Sequence, residues 1–460
     1  MKNRNFLFCT AITALCYLTM SVLYYSQIYS MYDLFSERFI YMTVDGWANL
    51  AQAAGLAAAM LLIRRRPKVF GSRFAAAGVL AGMFPTLCLS VLAPSPALLF
   101  AMMLTLNVLI GYTTVFYFSL IARYTEPQSM CFSFAAAYAV GSFATWLVSL
   151  VGEDVLTSAR VLPLDLVLLT LSAATVLLYQ NLCPDDTPDE AFRGGDTRGF
   201  WRENRLLLAV IALMSAVSML GSADSTAITP DIGINIVSSR ALYGLGLLFA
   251  AFVYTKSRSA GAIVTMASLV WPFLAIVLFH ESLLIVPACL LSYILLGFFA
   301  VYRTGSFLDP VREKRLCPAL AAAGLLVSRL ADTATTFVLT AFYDDIFLVS
   351  LVAAGLLFIP LLILFFYMFT QQLRSLPAEA PAPVLSESER RAAFAERYGL
   401  TRREEEIAFH LSQSHSNGEI AALLSLSENT VRFHVSNILK KTGLHDRNEV
   451  SRAYNAPTKD

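Results

Sequence analysis

Runs of apolar residues, each bounded by polar or charged positions, repeat from the N-terminus to Phe369. A hydrocarbon core of about 30 Å takes roughly 20 helical residues to cross, and the runs have about that length. Twelve spans are predicted, at approximately 6–28, 40–63, 70–92, 97–122, 130–151, 161–179, 206–220, 236–254, 260–280, 283–301, 316–342 and 346–369. The seventh is short, and the eighth opens with Ser238, Ser239 and Arg240. The first follows Met1, Lys2, Asn3 and Arg4 as a secretory signal would. It is too long for one and lacks a small-residue cleavage site, so it is expected to stay as a helix. Beyond Phe369 the pattern changes. Residues 370–396 hold Pro377, Pro381 and Pro383, the composition of a semi-rigid linker, and lead into a short helix. From 397 to 460 short amphipathic periods return. Three parts are therefore expected: a membrane domain over 1–369, a linker over 370–396 and a small helical domain over 397–460.

The starts of the small domain's helices are marked by capping pairs. In these a Ser, Thr or Asp side chain and a Glu three residues later each satisfy a backbone amide. The pairs are Ser386/Glu389, Thr401/Glu404, Ser416/Glu419 and Asp446/Glu449, with a further start at Ser427. Ile407, Leu411, Ile420, Leu423, Leu424, Val431, Val435, Ile438, Leu439, Leu444 and Val450 are predicted to form one core. Only Ser425, Leu426 and Ser427 separate two of the helices, the short connection of a helix-turn-helix. Leu400, Thr401, Arg403, Glu404, Ser416, Asn417, Glu419, Ile420, Ala421, Ser427, Asn429, Thr430, Val431, His434, Ile438, Lys441, Gly443, Arg447 and Glu449 closely resemble the DNA-binding domain of LuxR/FixJ-type regulators. Two positions depart from that pattern: Ser414 stands where a turn glycine is frequent, and Thr442 where a leucine is.

The resemblance implies that the helix from Ser427 to Lys441 enters the major groove of double-stranded DNA. It also implies that the last helix, Asp446 to Tyr454, pairs two copies into a homodimer. At 100° per residue, Val431, Val435, Ile438 and Leu439 share one side. Asn429, Phe433, Ser436, Asn437 and Lys440 then face outward, with Arg432 on the flank and Thr430 in the first turn. Arg432 suits guanine O6 and N7, Lys440 and Lys441 suit phosphates, and Phe433 suits thymine methyl groups. Residues 397–460 hold nine basic and eight acidic side chains, so weak binding by a single copy is expected.

Charge also orients the membrane domain. With the N-terminus inside, eighteen Lys and Arg fall on inner segments against three (Arg38, Arg160, Arg240) outside. Such a bias places both termini in the cytoplasm and the chain in the cytoplasmic (inner) membrane, among lipid. The longest inner loop, Asn181 to Asn204, divides the spans six and six. That arrangement resembles the major facilitator superfamily, which implies two six-helix halves around a site near the midplane. The family's usual loop between spans two and three contains an aspartate. Here the loop reads Arg64, Arg65, Arg66, Pro67, Lys68, Val69, Phe70, Gly71, which favours a sensor over a transporter. The fold class is thus all-α, a polytopic bundle with a small helix-turn-helix domain.

Of 460 residues, 57% are apolar and only 15% charged, and the mean hydropathy is +0.61, which excludes a soluble cytosolic enzyme. The seven cysteines form no CxxC pair, and four of five histidines lie in the last 51 residues without ligand spacing, so no metal and no cofactor is expected. Ionisable residues inside spans are costly and therefore candidates for function. Asp45, Asp165, Arg329 and Asp332 are the candidate ligand-binding residues, with an Arg329–Asp332 salt bridge and two interfacial carboxylates as the alternative. These features lead to a membrane-anchored one-component transcription regulator that senses an unidentified small molecule. A secondary transporter with an appended DNA-binding domain is the main alternative, and a constitutive DNA tether with no ligand is a third.

Overall fold

The structure, a computed structural model, describes residues 2–32, 34–91, 95–150, 161–182, 197–228, 240–271, 285–375 and 387–455. It forms two compact units, Met1–Phe369 and Thr370–Asp460. Within the first, the long helices are α1 (Lys2–Tyr32), α2 (Glu37–Tyr41) continuing through a π-helical turn (Met42–Trp47) into α3 (Ala48–Arg65), α4 (Arg73–Val91), α5 (Pro96–Tyr124), α6 (Pro127–Leu150) and α7 (Val161–Leu182). The second half continues with α8 (Arg205–Ile228), α9 (Arg240–Lys256), α10 (Arg258–Ser268), α11 (Ile285–Glu313), α12 (Ala323–Ala341) and α13 (Ile346–Ser375).

Every expected span coincides with one of these helices in whole or in part. Among the described residues, nine helical segments are long and apolar enough to cross a bilayer. The other three expected spans fall on α8, whose apolar stretch is short, on the 17-residue α9, and on α10, beyond which residues 272–284 lie outside the described residues. The loop around Asp231, residues 376–386 of the linker and the cap Ser386 also lie outside them.

Local chemistry sets the helix ends and lets polar residues stay in an apolar bundle. Ser95 accepts from the Leu98 amide with Pro96 at the first helical position, so α5 starts with an orphan amide capped and another removed. Hydroxyls inside spans turn back onto carbonyls four residues earlier, as Thr113 does to Leu109 and Thr255 to Ala251. Helices touch backbone to backbone where small residues meet. A Cβ on Gly55 would stand 2.0 Å from the Val108 carbonyl oxygen, and one on Gly297 would stand 2.4 Å from the Gly246 backbone. These contacts lock α3 to α5 and α11 to α9 by close packing, the main attractive force between helices in lipid. Phe118, Phe134, Phe298, Phe307 and Phe365 fill the interior. Leu348, Val352, Leu356, Ile359, Ile363 and Phe366 expose one apolar face of α13, a surface suited to lipid and costly in water.

The second unit contains α14 (Glu387–Tyr398), α15 (Arg402–Ser412), α16 (Asn417–Leu424), α17 (Glu428–Thr442) and α18 (Arg447–Asn455). Thr401/Glu404 and Ser416/Glu419 form complete capping boxes. At Asp446 the carboxylate accepts from the Glu449 amide, while Glu449 reaches back to the His445 amide. The core joins Phe394, Ile407, Leu411, Ile420, Val431, Ile438, Val450 and Tyr454, so α14 packs as part of the domain. Leu423, expected in that core, is 58% exposed, because α16 is only two turns long and turns this position away from α17.

Candidate nucleic-acid interface and a polar centre in the membrane domain

The turn between α16 and α17 is tight because Ser425 adopts a left-handed conformation, φ 53°, and the Leu426 amide bonds back to the Ala421 carbonyl. Arg403 of α15 fastens the end of α16 by donating 2.9 Å to the Leu424 carbonyl and 2.6 Å to Glu406. With Val431 and Ile438 fully buried, α17 has one rotation open to it. Asn429, Arg432, Phe433, Ser436 and Lys440 are consequently exposed, and Thr430 and Asn437 are half-buried. Phe433 is 64% exposed and meets the His434 ring edge-on, 5.7 Å between centroids; the packed aromatic cluster of the domain is instead Phe394, Tyr398 and Tyr454.

Three of the candidate residues have work inside the domain. Thr430 shares a 2.7 Å hydrogen bond with Ser427 at the helix start. Arg432 donates 2.8 Å to Glu428 one turn earlier, a pair exposed enough for DNA to displace. Lys441 donates 2.6 Å to Glu404 and 3.1 Å to the Gly399 carbonyl, tying α17 to α15. Burial works to raise the Glu404 carboxyl, but hydrogen bonds from Lys441 and Thr401 outweigh it and hold the group below its ordinary value.

In the membrane domain a polar centre gathers residues from both halves. Arg329 of α12 donates 2.8 Å to Asn49 of α3 and lies 3.8 Å from Asp332, one turn on. Ser328 accepts from Arg303 of α11 and from Ser215 of α8, each at 2.7 Å. Arg240, at the start of α9, reaches across to α1, where its Nε donates 2.5 Å to the Tyr25 hydroxyl and Nη1 3.4 Å to Tyr17. Its guanidinium also lies over the Tyr25 and Tyr243 rings, at 5.0 and 5.7 Å. Tyr17 stacks on Tyr138 at 3.8 Å, and Tyr138 hydrogen-bonds Tyr117 at 2.7 Å. Behind Asn49, Gln52 donates 2.7 Å to Asn107, which reaches Gln27 at 3.4 Å.

Asp45 sits in the π-helical turn. Its carbonyl accepts from Asn49 and Thr336, and the next carbonyl, of Gly46, accepts from Thr333. The turn thus frees backbone oxygens for α12, the helix that carries Arg329 and Asp332. Asp165 stands apart from this group: it is fully buried on α7 and accepts 3.2 Å from Ser26 of α1. The structure therefore brings Asp45, Arg329 and Asp332 together and leaves Asp165 elsewhere. Arg240 and Arg303, counted with loop charges in the sequence, belong to the centre. The sequence signal that points to it is the set of amides inside spans, Gln27, Asn49, Gln52 and Asn107, which are polar without being ionisable.

Among the described residues no group of three or more His, Cys, Asp or Glu could hold a metal ion.

The fold and these surfaces define a transporter-type membrane bundle joined to a DNA-binding helix-turn-helix. Residues 399–453 match the bacterial regulatory proteins of the luxR family. The chain is 46% identical over 54 residues to the uncharacterized transcriptional regulatory protein YhcZ of Bacillus subtilis (strain 168), 12% of this chain and 25% of that protein. It is 42% identical over 48 residues to the nitrate/nitrite response regulator protein NarP of Escherichia coli (strain K12), 10% of this chain and 22% of that one. To the spore germination protein GerE of Bacillus subtilis (strain 168) it is 44% identical over 50 residues, 11% of this chain and 68% of GerE. The chain belongs, through its C-terminal domain, to the luxR family of bacterial regulatory proteins, whose helix-turn-helix domains bind DNA and often dimerise.

The membrane bundle is similar to solved transporters of the major facilitator type. The human organic anion transporter MFSD10 (TETRAN) superposes with a TM-score of 0.55 at 14% identity, covering 80% of this chain and 99% of that one. The nucleoside transporter NupG gives 0.56 at 15%, covering 78% and 100%. The peptide transporter POT in complex with sulfate gives 0.58 at 15%, covering 79% and 94%. At these identities the likeness is one of fold. Regulator domain and transporter fold are both non-enzyme types.

Proposed function

We propose that the chain is a membrane-anchored one-component transcription regulator, its transmembrane bundle sensing a small molecule and its C-terminal domain binding promoter DNA as a homodimer. The observation that carries this reading is the exposed face of α17. Arg432, Phe433, Ser436 and Lys440 are presented together on a helix fixed by its own core, and such a face has no role inside the bundle of a transporter. Direct readout falls to Arg432 and Phe433, with Asn429, Ser436 and Asn437 beside them, and Lys440 reaches phosphate. Thr430 orders the helix start, and Lys441 must exchange Glu404 for a phosphate if it is to contact DNA. The polar centre is the sensor: Arg329–Asn49 and Arg240–Tyr25 span the two halves, so a ligand that prefers one arrangement of the halves shifts their equilibrium.

The test is promoter occupancy in cells, measured by crosslinking and immunoprecipitation of the tagged full chain. Wild type is expected to enrich discrete promoters, and Arg432→Ala to lose that enrichment at equal membrane abundance. A small molecule that alters occupancy completes the reading. Uptake of that molecule, unaffected by Arg432→Ala and without any change in occupancy, would identify a transporter instead.

A further inference from the structure

The membrane domain gathers positive charge where an unpaired ion is most costly. Arg240, Arg303 and Arg329 come from three helices of the second half: Arg240 lies over the Tyr243 ring at 5.7 Å, and Arg303 donates 2.7 Å to Ser328, the residue before Arg329. Two carboxylates share the neighbourhood. Asp332 pairs with Arg329, and Asp45 lies close enough to feel both. Arg240 and Arg303 are held differently: among the described residues their hydrogen-bond partners are neutral hydroxyls, of Tyr25 and Tyr17 for one and of Ser328 for the other, while the charge of Asp332 also acts on Arg303. Aromatic faces complete their surroundings, Tyr25 and Tyr243 at Arg240 and Phe299 at Arg303. The Nε atoms of Arg303 and Arg329 are buried and have no hydrogen-bond partner among the described residues.

A guanidinium carries five donors in a planar fork that fits a carboxylate. Among the described residues, three such groups against two carboxylates leave a positive centre with donors to spare, in a medium where an ion inside the membrane is stabilised by an opposite charge. We infer that the membrane domain binds a small organic anion, its carboxylate held by Arg303, with Arg240 and Arg329 supplying the rest of the positive field. This rests on the reading of the bundle as the sensor and specifies what it senses.

The test uses the full-length protein in detergent at constant ionic strength. Thermal melts are recorded against sodium benzoate and sodium butyrate, with benzamide and butyramide as neutral counterparts of the same shape. A saturable rise in Tm is expected with a carboxylate and none with its amide. Arg303→Gln is expected to weaken the apparent Kd by about tenfold or more, the loss of a charge-assisted hydrogen bond. Arg303→Lys, which keeps the charge and loses the fork, guards against a glutamine variant that does not fold; it is expected to weaken binding less and to keep the preference for carboxylate over amide. Amides as effective as carboxylates, no saturable response to either carboxylate, or an unchanged Kd in Arg303→Gln would overturn the inference. Promoter occupancy separates the two levels of the argument. A carboxylate that stabilises the protein without altering occupancy leaves the anion site standing and sinks the sensor reading. A neutral molecule that alters occupancy through this domain leaves the sensor standing and sinks the anion site.

Discussion

Ser414 adopts φ 65°, the left-handed region in which an L-residue's Cβ crowds the following carbonyl oxygen and glycine does not. Ser414→Gly is therefore expected to stabilise the C-terminal domain by about 0.5–1 kcal/mol, the local relief being partly offset by the extra freedom glycine gives the unfolded chain. Urea unfolding of residues 386–460 measures it, and a loss of stability would show that the serine side chain does something the backbone argument omits. Phe433 poses the opposite case, a large ring left in water on a folded helix. With 64% of it exposed, truncation to Ala removes little packing and is expected to change stability by less than about 0.5 kcal/mol. The same change is expected to cost roughly 1–3 kcal/mol of preference for target over random DNA, with the salt dependence unchanged because no phosphate contact is lost. Titration of labelled duplexes at two salt concentrations reads both quantities. A variant that melts lower but keeps its preference would put the ring in a packing role.

Elements in this chain are joined by a few polar ties whose partners differ in burial. Lys441 of α17 and Glu404 of α15 make one of them, with the carboxylate 5% and the lysine 36% exposed. Because the Glu404 carboxyl titrates below its ordinary 4.5 when folded, its contribution is complete above 4.5 and is lost as pH falls through the lower, folded value. Lys441→Gln is expected to cost about 1 kcal/mol at pH 7, discounted for the exposed lysine, and the gap from wild type is expected to close on acidification below 4.5. Denaturant curves at pH 7, 5 and 3.5 check this; a gap that persists at the lowest pH would mean that the lysine stem, not the charge, holds the helices together. Ties of this kind also mark how far the sequence could be read. The capping boxes at Thr401 and Ser416 were legible because cap and partner are three residues apart, and the apolar side of α17 because its period is local. Lys441–Glu404, Arg329–Asn49 and Arg240–Tyr25 join residues 37, 280 and 215 positions apart, and no local pattern announces such pairs. The π-helical turn at Asp45 was hidden for a related reason: one extra residue in a helix leaves the hydropathy of the run unchanged.

For the molecule as a whole, the bilayer made the bundle legible, since its thickness dictates the length of each apolar run. It made Arg240 and Arg303 illegible for the same reason. Both lie near an end of an apolar stretch, where a side chain that snorkels to water and one that turns into the bundle have the same sequence signature. The structure turns them inward, which reduces the charge contrast on which orientation rests by one on each side, from eighteen against three to about seventeen against two. The contrast survives, and the function proposed for the chain requires it: a helix-turn-helix can meet a chromosome only if Thr370–Asp460 is cytoplasmic. A cysteine tag appended after Asp460 is expected to resist a membrane-impermeant maleimide in intact spheroplasts and to react only after lysis. A tag in the loop around Asp231 is expected to react without lysis, since five further crossings on the expected count separate it from the C-terminus. Labelling of both tags from the same side would break the twelve-span topology, and an accessible C-terminus in intact cells would remove the DNA from reach of α17 altogether.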